Sequence, residues 1–336
     1  LPRNPSIFRK PLPARRERLF AADPAHRFPW PLALALALVV ALLPACRRAR
    51  THGPPKAVPV AQDGGLELRL MTFNVRYETS EDLGSRAWQQ RVPAIIRMIH
   101  QENPDVIGIQ EAMHGQAADL WASLPDYEFF GKAREDGHRD GEYSGIFYRR
   151  DRFVPAPDEG GTFWLSDTPE KPGSKTWGNR VTRVATWLRL TDRASHRDFY
   201  IYNTHWDHQH QGSREKAAKL LARRIDQRRE PAAPVVLMGD FNAVETNPGL
   251  RILTGTGSQS AAQTRFIDTF QTLNPGRKNR RTLHFWRGST DGGLKVDHIL
   301  VSQGADVLEA AIRSHDEPMV SDHFPVTARV AWPRER

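Results

Sequence analysis

Val235-Val236-Leu237-Met238-Gly239-Asp240-Phe241-Asn242 is a run of four apolar side chains that stops on a glycine, a carboxylate and an amide. A short uninterrupted apolar run, half of it β-branched, fits a strand covered on both faces. Asp240 and Asn242 then stand where the end of a strand presents side chains to a crevice. The same order recurs along the chain. Leu70-Met71-Thr72-Phe73 runs into Asn74, Val106-Ile107-Gly108-Ile109-Gln110 into Glu111, and Tyr200-Ile201-Tyr202-Asn203-Thr204 into His205. Asp297-His298 opens another strand, and Ser321-Asp322-His323 precedes Phe324-Pro325-Val326. A single Asp or Asn after a strand is usually a turn or cap residue. Six such coincidences at strand ends ask for another explanation.

Outward from these ends, strand-like runs cover Leu68 to Phe73, Val106 to Gln110, Tyr143 to Tyr148, Val181 to Leu190, Phe199 to Thr204, Val235 to Met238, His298 to Val301 and Val326 to Val330. Two helices intervene clearly. One carries Trp88, Val92, Ile95, Ile96 and Ile99 on a face, with Pro93 expected in its first turn; the other is expected to run from an N-cap at Ser213 through Leu220, Leu221 and Ile225. Many strands, few helices and long connections point to two packed sheets with helices outside them.

The chain has 336 residues and a formal charge of +9. Residues 1 to 46 hold +5 of it and residues 47 to 65 hold +3, leaving +1 for residues 66 to 336. A near-neutral domain lacks the broad basic face that gives non-specific nucleic-acid affinity through counterion release. The front of the chain reads as a targeting segment: basic residues through Arg27, an apolar run from Pro31 to Leu43, then Leu43-Pro44-Ala45-Cys46. Thirteen apolar residues are short for a bilayer span. Cys46, the only cysteine, stands where a bacterial lipoprotein signal places its lipidated residue. The expectation is an exported lipoprotein facing the periplasm or cell exterior; the alternative is an uncleaved anchor or a plain secretory peptide. Residues 47 to 65, with four basic side chains and several Pro and Gly, read as a linker, residues 66 to 332 as the domain and 333 to 336 as a tail. Without further cysteines, a metal in this domain must use oxygen or imidazole ligands, which suits Mg²⁺ or Mn²⁺.

Phosphate-ester cleavage needs that chemistry, because a cation neutralises the phosphoryl oxygens while a polarised water attacks in line. Thr72-Phe73-Asn74, Gln110-Glu111, Asn203-Thr204-His205, Gly239-Asp240-Phe241-Asn242, Asp297-His298 and Ser321-Asp322-His323, in this order across residues 66 to 332, resemble the endonuclease/exonuclease/phosphatase superfamily. That superfamily includes DNase I, AP endonucleases, inositol polyphosphate 5-phosphatases, bacterial sphingomyelinases and deadenylases. The resemblance implies an α/β fold, a four-layer α/β sandwich of two mixed sheets packed face to face with helices on the outer faces and the site at one end. It implies Glu111 as principal metal ligand, helped by Asn74 and Asp322. Asp240 and Asn242 would orient the attacking water and hold a phosphate oxygen. His323, paired with Asp297, would stabilise the pentacovalent phosphate or move a proton, and His205 would sit across the phosphate, paired with Glu142.

Some features resemble a bacterial branch of metal-dependent hydrolases: Arg76, Arg134-Glu135-Asp136-Gly137, Gly161-Thr162-Phe163-Trp164-Leu165-Ser166, and Asp207 and His208 after the shared histidine. Arg76 and His208 are expected to face substrate; loop structure is the plainer reading of these segments. The expected activity is hydrolysis of a phosphate ester, a diester before a monoester, by a monomer. Extracellular nucleic acid, phospholipid or sphingolipid head groups, and sugar or inositol phosphates all remain open as substrates. His284-Phe285-Trp286-Arg287-Gly288 could insert into a membrane, pack on the core or line the pocket. A non-catalytic surface module is disfavoured because every matched position holds a chemically competent residue.

Overall fold

The structure, a computed structural model, describes residues 64–256, 263–314 and 319–333. The targeting segment with Cys46, most of the linker and residues 334 to 336 lie outside the described residues. One six-stranded sheet contains β1 (Leu66–Asn74), β2 (Val106–Ala112), β3 (Tyr127–Phe130), β4 (Tyr143–Arg149), β11 (Asp306–Ile312) and β12 (Val326–Trp332), in the order β11-β12-β1-β2-β4-β3. The other contains β5 (Phe153–Trp164), β6 (Val184–Asp192), β7 (Asp198–His205), β8 (Val235–Asp240), β9 (Phe266–Asp268) and β10 (Asp297–Ser302), in the order β5-β6-β7-β8-β10-β9. β1 with β2 and β7 with β8 are parallel pairs, and the other pairings are antiparallel. The fold is the expected four-layer sandwich of two mixed sheets with helices.

Alternation along the strands builds the layers. On β8, Val236 and Met238 join Leu68, Leu70, Val106, Ile146 and Ile201 in the core between the sheets. Val235 and Leu237 point the other way, to Leu220, Leu221 and Ile225 of α3 (Gln211–Asp226) and Leu250 and Leu253 of α4 (Pro248–Thr254). Every residue of β8 is buried, as a strand covered on both faces requires. α1 (Trp88–Glu102) packs against α2 (His114–Ser123), with the Trp88 indole donating to Asp119 at 2.8 Å. A short α5 (Thr269–Leu273) follows β9. No helix among the described residues is long and apolar enough to cross a membrane.

Local differences from the sequence reading have physical causes. Pro93 falls in the second turn of α1 rather than the first, on its exposed side. Ser213 lies inside α3; the cap is His210, whose Nδ1 accepts from the Ser213 N–H at 3.1 Å. Asp207 fixes that entry by accepting the N–H groups of Gln209 and His210. β6 begins at Val184, three residues after the expected Val181. Gly161 to Trp164 is the end of the long, bulged β5 and not a loop.

Candidate active site

Two glycines without room for a side chain set the geometry. At Gly239 (φ +147) a Cβ would lie 2.0 Å from the Thr204 carbonyl oxygen, so β7 and β8 close together at their C-terminal ends and bring His205 beside Asp240. At Gly108 a Cβ would lie 2.7 Å from Asn203 Oδ1. Through that gap Asn203 crosses from one sheet to the other, donating to the carbonyls of Ile109 and Gly145 at 2.8 Å and accepting from Gln110 Nε2 at 2.7 Å. The sheets are thus bolted together beneath the polar strand ends.

Above the bolt, Asn74, Glu111, Glu142, His205, Asp240, Asn242, Asp297 and His323 converge. The Asn74 amide donates to both Glu111 Oε1 and Asp240 Oδ2 at 3.0 Å. A bulge in β2 re-aims Glu111, which sits in left-handed backbone at φ 64; Arg76 and Asn242 do the same at φ 58 and 47. The Asn242 N–H donates to Asp240 Oδ1 at 2.8 Å and its amide to the Trp206 carbonyl at 3.0 Å. His323 Nδ1 lies 2.9 Å from Asp297 Oδ2, while its Nε2 faces Asp240 Oδ2 at 3.9 Å. His205 Nε2 approaches the same oxygen at 3.5 Å.

Electrostatics separate the two imidazoles. Burial would lower the His323 pKa, but the Asp297 and Asp240 carboxylates outweigh it and hold it well above the usual value, so the ring is cationic at neutral pH. His205 is pushed well below, by burial and then by the nearby Arg183 and Arg134. Burial, then the Asp297 charge, pushes the Asp240 carboxyl up to about 7. Asp322 is raised by burial, with Glu111 adding to it.

Ligand atoms of Glu111, His205 and Asp240 all lie within 4.8 Å of one another, as do those of Asp240, Asp297 and His323, so each trio could hold a metal ion. The set fits a hard divalent cation: its donors are oxygen and imidazole, burial and then the Asp297 charge raise the Asp240 carboxyl to about 7, and buried Asp297 Oδ1 has no hydrogen-bond partner.

Other expected site residues are placed differently. Asp322 is in neither metal-capable trio; its Oδ2 lies 3.8 Å from Arg76 Nη1. Glu142 Oε2 is 4.0 Å from His205 Nδ1, beyond a hydrogen bond, because that oxygen accepts from Arg134. Arg76 is only partly exposed and donates to Asp82 at 3.0 Å. His208 is exposed and meets Arg183 Nη2 at 3.1 Å. Sequence reasoning missed Arg183, which is buried beside the site with Nε and Nη1 unpartnered. It also missed Arg91, whose guanidinium gathers the carbonyls of Val75, Arg76, Arg86 and Val320 and so fixes the loops carrying Arg76 and Asp322. Its place on the apolar face of α1, between Trp88 and Ile95, was the available signal.

The profile of the Endonuclease/Exonuclease/phosphatase family matches residues 71–323. Protein L388 of Acanthamoeba polyphaga mimivirus, itself uncharacterised, is 30% identical over 71% of this chain and 90% of its own length. Among solved structures, an endonuclease/exonuclease/phosphatase from Bacteroides vulgatus superposes with a TM-score of 0.72 at 31% identity, covering 79% of this chain and 98% of that one. A mannosyl-6-phosphatase of Bacteroides thetaiotaomicron gives a TM-score of 0.69 at 28% identity, over 78% and 99% of the two chains.

Proposed function

The chain belongs to the endonuclease/exonuclease/phosphatase family, and from that premise we propose a divalent-metal-dependent hydrolase of phosphate esters, using Mg²⁺ or Mn²⁺. One observation carries the proposal. Asp240 Oδ2 is the shared corner of the site, 3.0 Å from the Asn74 amide, 3.5 Å from His205 and 3.9 Å from His323, and Asp240 belongs to both metal-capable trios.

A cation held by Glu111 and Asp240, with Asn74 fixing both carboxylates, would neutralise the phosphoryl and leaving oxygens. The chain's own groups do the rest. Asp240, whose Oδ2 faces both His205 and His323, orients the attacking water and takes its proton. Asn242, one amide hydrogen spent on Trp206, turns the other toward a phosphate oxygen. His323, kept cationic and oriented by Asp297, donates Nε2–H to the developing charge. Neutral His205 hydrogen-bonds the phosphate from the opposite side. Arg76, Asp322 and His208 form the wall on which the rest of the substrate lies.

The proposed substrates are diesters or sugar phosphates met outside the cytoplasm, the second class being supported by the mannosyl-6-phosphatase relative. Export as a membrane-anchored lipoprotein is supported by the basic lead, the apolar run and the lone Cys46. The test is a panel of mono- and bis-p-nitrophenyl phosphate, plasmid DNA, RNA, sphingomyelin and inositol and sugar phosphates with Mg²⁺, Mn²⁺, Ca²⁺ or EDTA. Turnover on at least one, abolished by EDTA, is expected; inactivity on all sinks the proposal. Fatty-acid labelling lost in Cys46→Ser checks the anchor, and sedimentation checks the monomer.

A further inference from the structure

A cavity of about 520 Å³ lies between the second sheet, the bulge of β5 and the end of α3. The sheet contributes Trp187 and Tyr202, cross-strand neighbours on β6 and β7 whose rings stack at 5.9 Å. The bulge contributes Asp158 and Glu159. The last turns of α3 and the segment after it contribute Arg223, Arg224, Arg228 and Arg229. Tyr202 points into the layer between this sheet and the helices, away from the core where the two sheets meet. No residue of the active site lines the cavity.

The side chains around it are rich in donors and short of acceptors. The hydroxyl of Tyr202, a residue only 2% exposed, the Trp187 indole N–H and the Arg223 guanidinium find no hydrogen-bond or ion-pair partner among the described residues. Burial pushes the Tyr202 phenol above its usual pKa, so it stays a protonated donor. Trp187 Nε1 lies beside Gly161, where a Cβ would stand 3.4 Å from it. Arg228 donates its Nη groups to the carbonyls of Ile225 and Pro231 and to Thr264, has no carboxylate within ion-pair reach, and leaves a buried Nε unmatched. The other two arginines are neutralised, Arg229 by Glu159 at 3.2 Å and Arg224 by Glu170. Glu159 is further occupied by the Tyr200 hydroxyl at 2.7 Å and Arg189 at 3.2 Å. Asp158 is the remaining carboxylate of the lining, in left-handed backbone (φ 60) on the bulge. Buried donors left without acceptors are uncommon, and here several converge on one space.

We propose that this cavity is a second ligand site, separate from the active site, for a small phosphate monoester with a hydroxylated body, the chemistry of a sugar phosphate. The phosphate dianion meets the charges of Arg223 and Arg228 and the free donors of Tyr202 and Trp187, and Asp158 accepts from a hydroxyl of the body. A cavity of this size suits a whole small molecule, and inorganic phosphate alone leaves most of it unfilled. The site does not depend on the phosphoesterase reading.

The test is calorimetric titration of the full chain in EDTA with glucose phosphate, glycerol phosphate and inorganic phosphate, in the wild type and in His323→Ala. Glucose phosphate should bind, and one site should persist in His323→Ala with Kd within about twofold. Tyr202→Phe and Arg223→Ala should each raise that Kd about tenfold, as loss of a charge-assisted hydrogen bond does. Both changes are mild, one removing a single hydroxyl and the other placing alanine on an exposed helix position, so the thermal midpoint should hold. Indole fluorescence should change on binding in the wild type and not in Trp187→Phe, which locates the ligand without a second variant. Absence of heat and of fluorescence change with every ester would overturn the proposal, as would a Kd unmoved in both Tyr202→Phe and Arg223→Ala. Binding that vanishes in folded His323→Ala would place it at the active site instead. Inorganic phosphate bound as tightly as glucose phosphate would remove the ester assignment. A wild type inactive on every ester defeats the phosphoesterase reading and leaves these binding outcomes as they stand.

Discussion

Asp297 and His298 are neighbours on β10, and each belongs to a buried charged trio, yet the two trios are built on opposite principles. Asp297 faces His323 and Asp240, where two carboxylates share one imidazolium and Asp297 Oδ1 finds no partner. His298 faces the other way, to Asp268 Oδ2 at 2.6 Å and Lys295 Nζ at 2.6 Å, while Lys295 reaches Asp268 at 2.9 Å. Its Nε2 donates to the Ala243 carbonyl at 2.9 Å. Lys295 and His298 are wholly buried there. The second trio is closed, giving its carboxylate two nitrogen partners; the first is open, leaving a carboxylate oxygen without one. Burial would raise the Asp268 carboxyl, but Lys295 and His298 outweigh it and hold it far below the usual range, whereas Asp240 is pushed up to about 7. A buried trio with an unpartnered oxygen is poised for a ligand and a partnered one for holding shape.

The contrast can be broken by mutation. The largest expected effect is at the open trio: His323→Ala and Asp240→Ala should each lower kcat by about 10² or more with the thermal midpoint little reduced. Wild-type rates in both would dissolve the roles assigned to them. At the closed trio, Lys295→Met strands the Asp268 carboxylate and should cost about 3–5 kcal/mol in urea unfolding. The surviving folded fraction should keep kcat within about tenfold, because the reacting groups remain on the other face.

Titration sharpens the comparison with opposite signs. A depressed Asp268 contributes stability above the unfolded carboxyl value of about 4, lost as pH falls through that value and below. A raised Asp240 does the reverse in metal-stripped protein: between about 4 and 7 the native state holds a proton that the unfolded chain releases, so stability rises as pH falls. Asp240→Asn should flatten the slope from neutrality to pH 4, and Asp268→Asn the acid limb; saturating Mg²⁺ should erase only the first. The smallest effect is expected at Phe241, whose ring packs edge-on against His298 at 5.5 Å and Trp206 at 4.8 Å behind the Asp240–Asn242 turn. Phe241→Leu should cost about 1 kcal/mol and lower kcat only severalfold.

Sequence alone disclosed the open trio and hid the closed one for a physical reason. Asp240, Asp297 and His323 each adjoin an apolar run, so strand periodicity places them at sheet ends. Asp268 closes a strand of three residues, too short for any alternation to register, and Lys295 sits in an irregular loop. The Asp297-His298 dipeptide read as the opening of a strand with a role for Asp297 alone, and period-two geometry sends His298 to the opposite face. β5 escaped notice as a strand because its bulge breaks the pattern between Pro155 and Gly160. The Arg134–Glu142 pair escaped because partners eight residues apart meet only when β4 pairs back on the preceding segment.

The crossing of Asn203 through the space left by Gly108 bears on how such a protein can diversify. Alignment of the two halves is secured from below, in the interior, so the surface segments above owe nothing to that duty. Descendants could rewrite those outer loops freely and acquire new tastes without first relearning how to assemble.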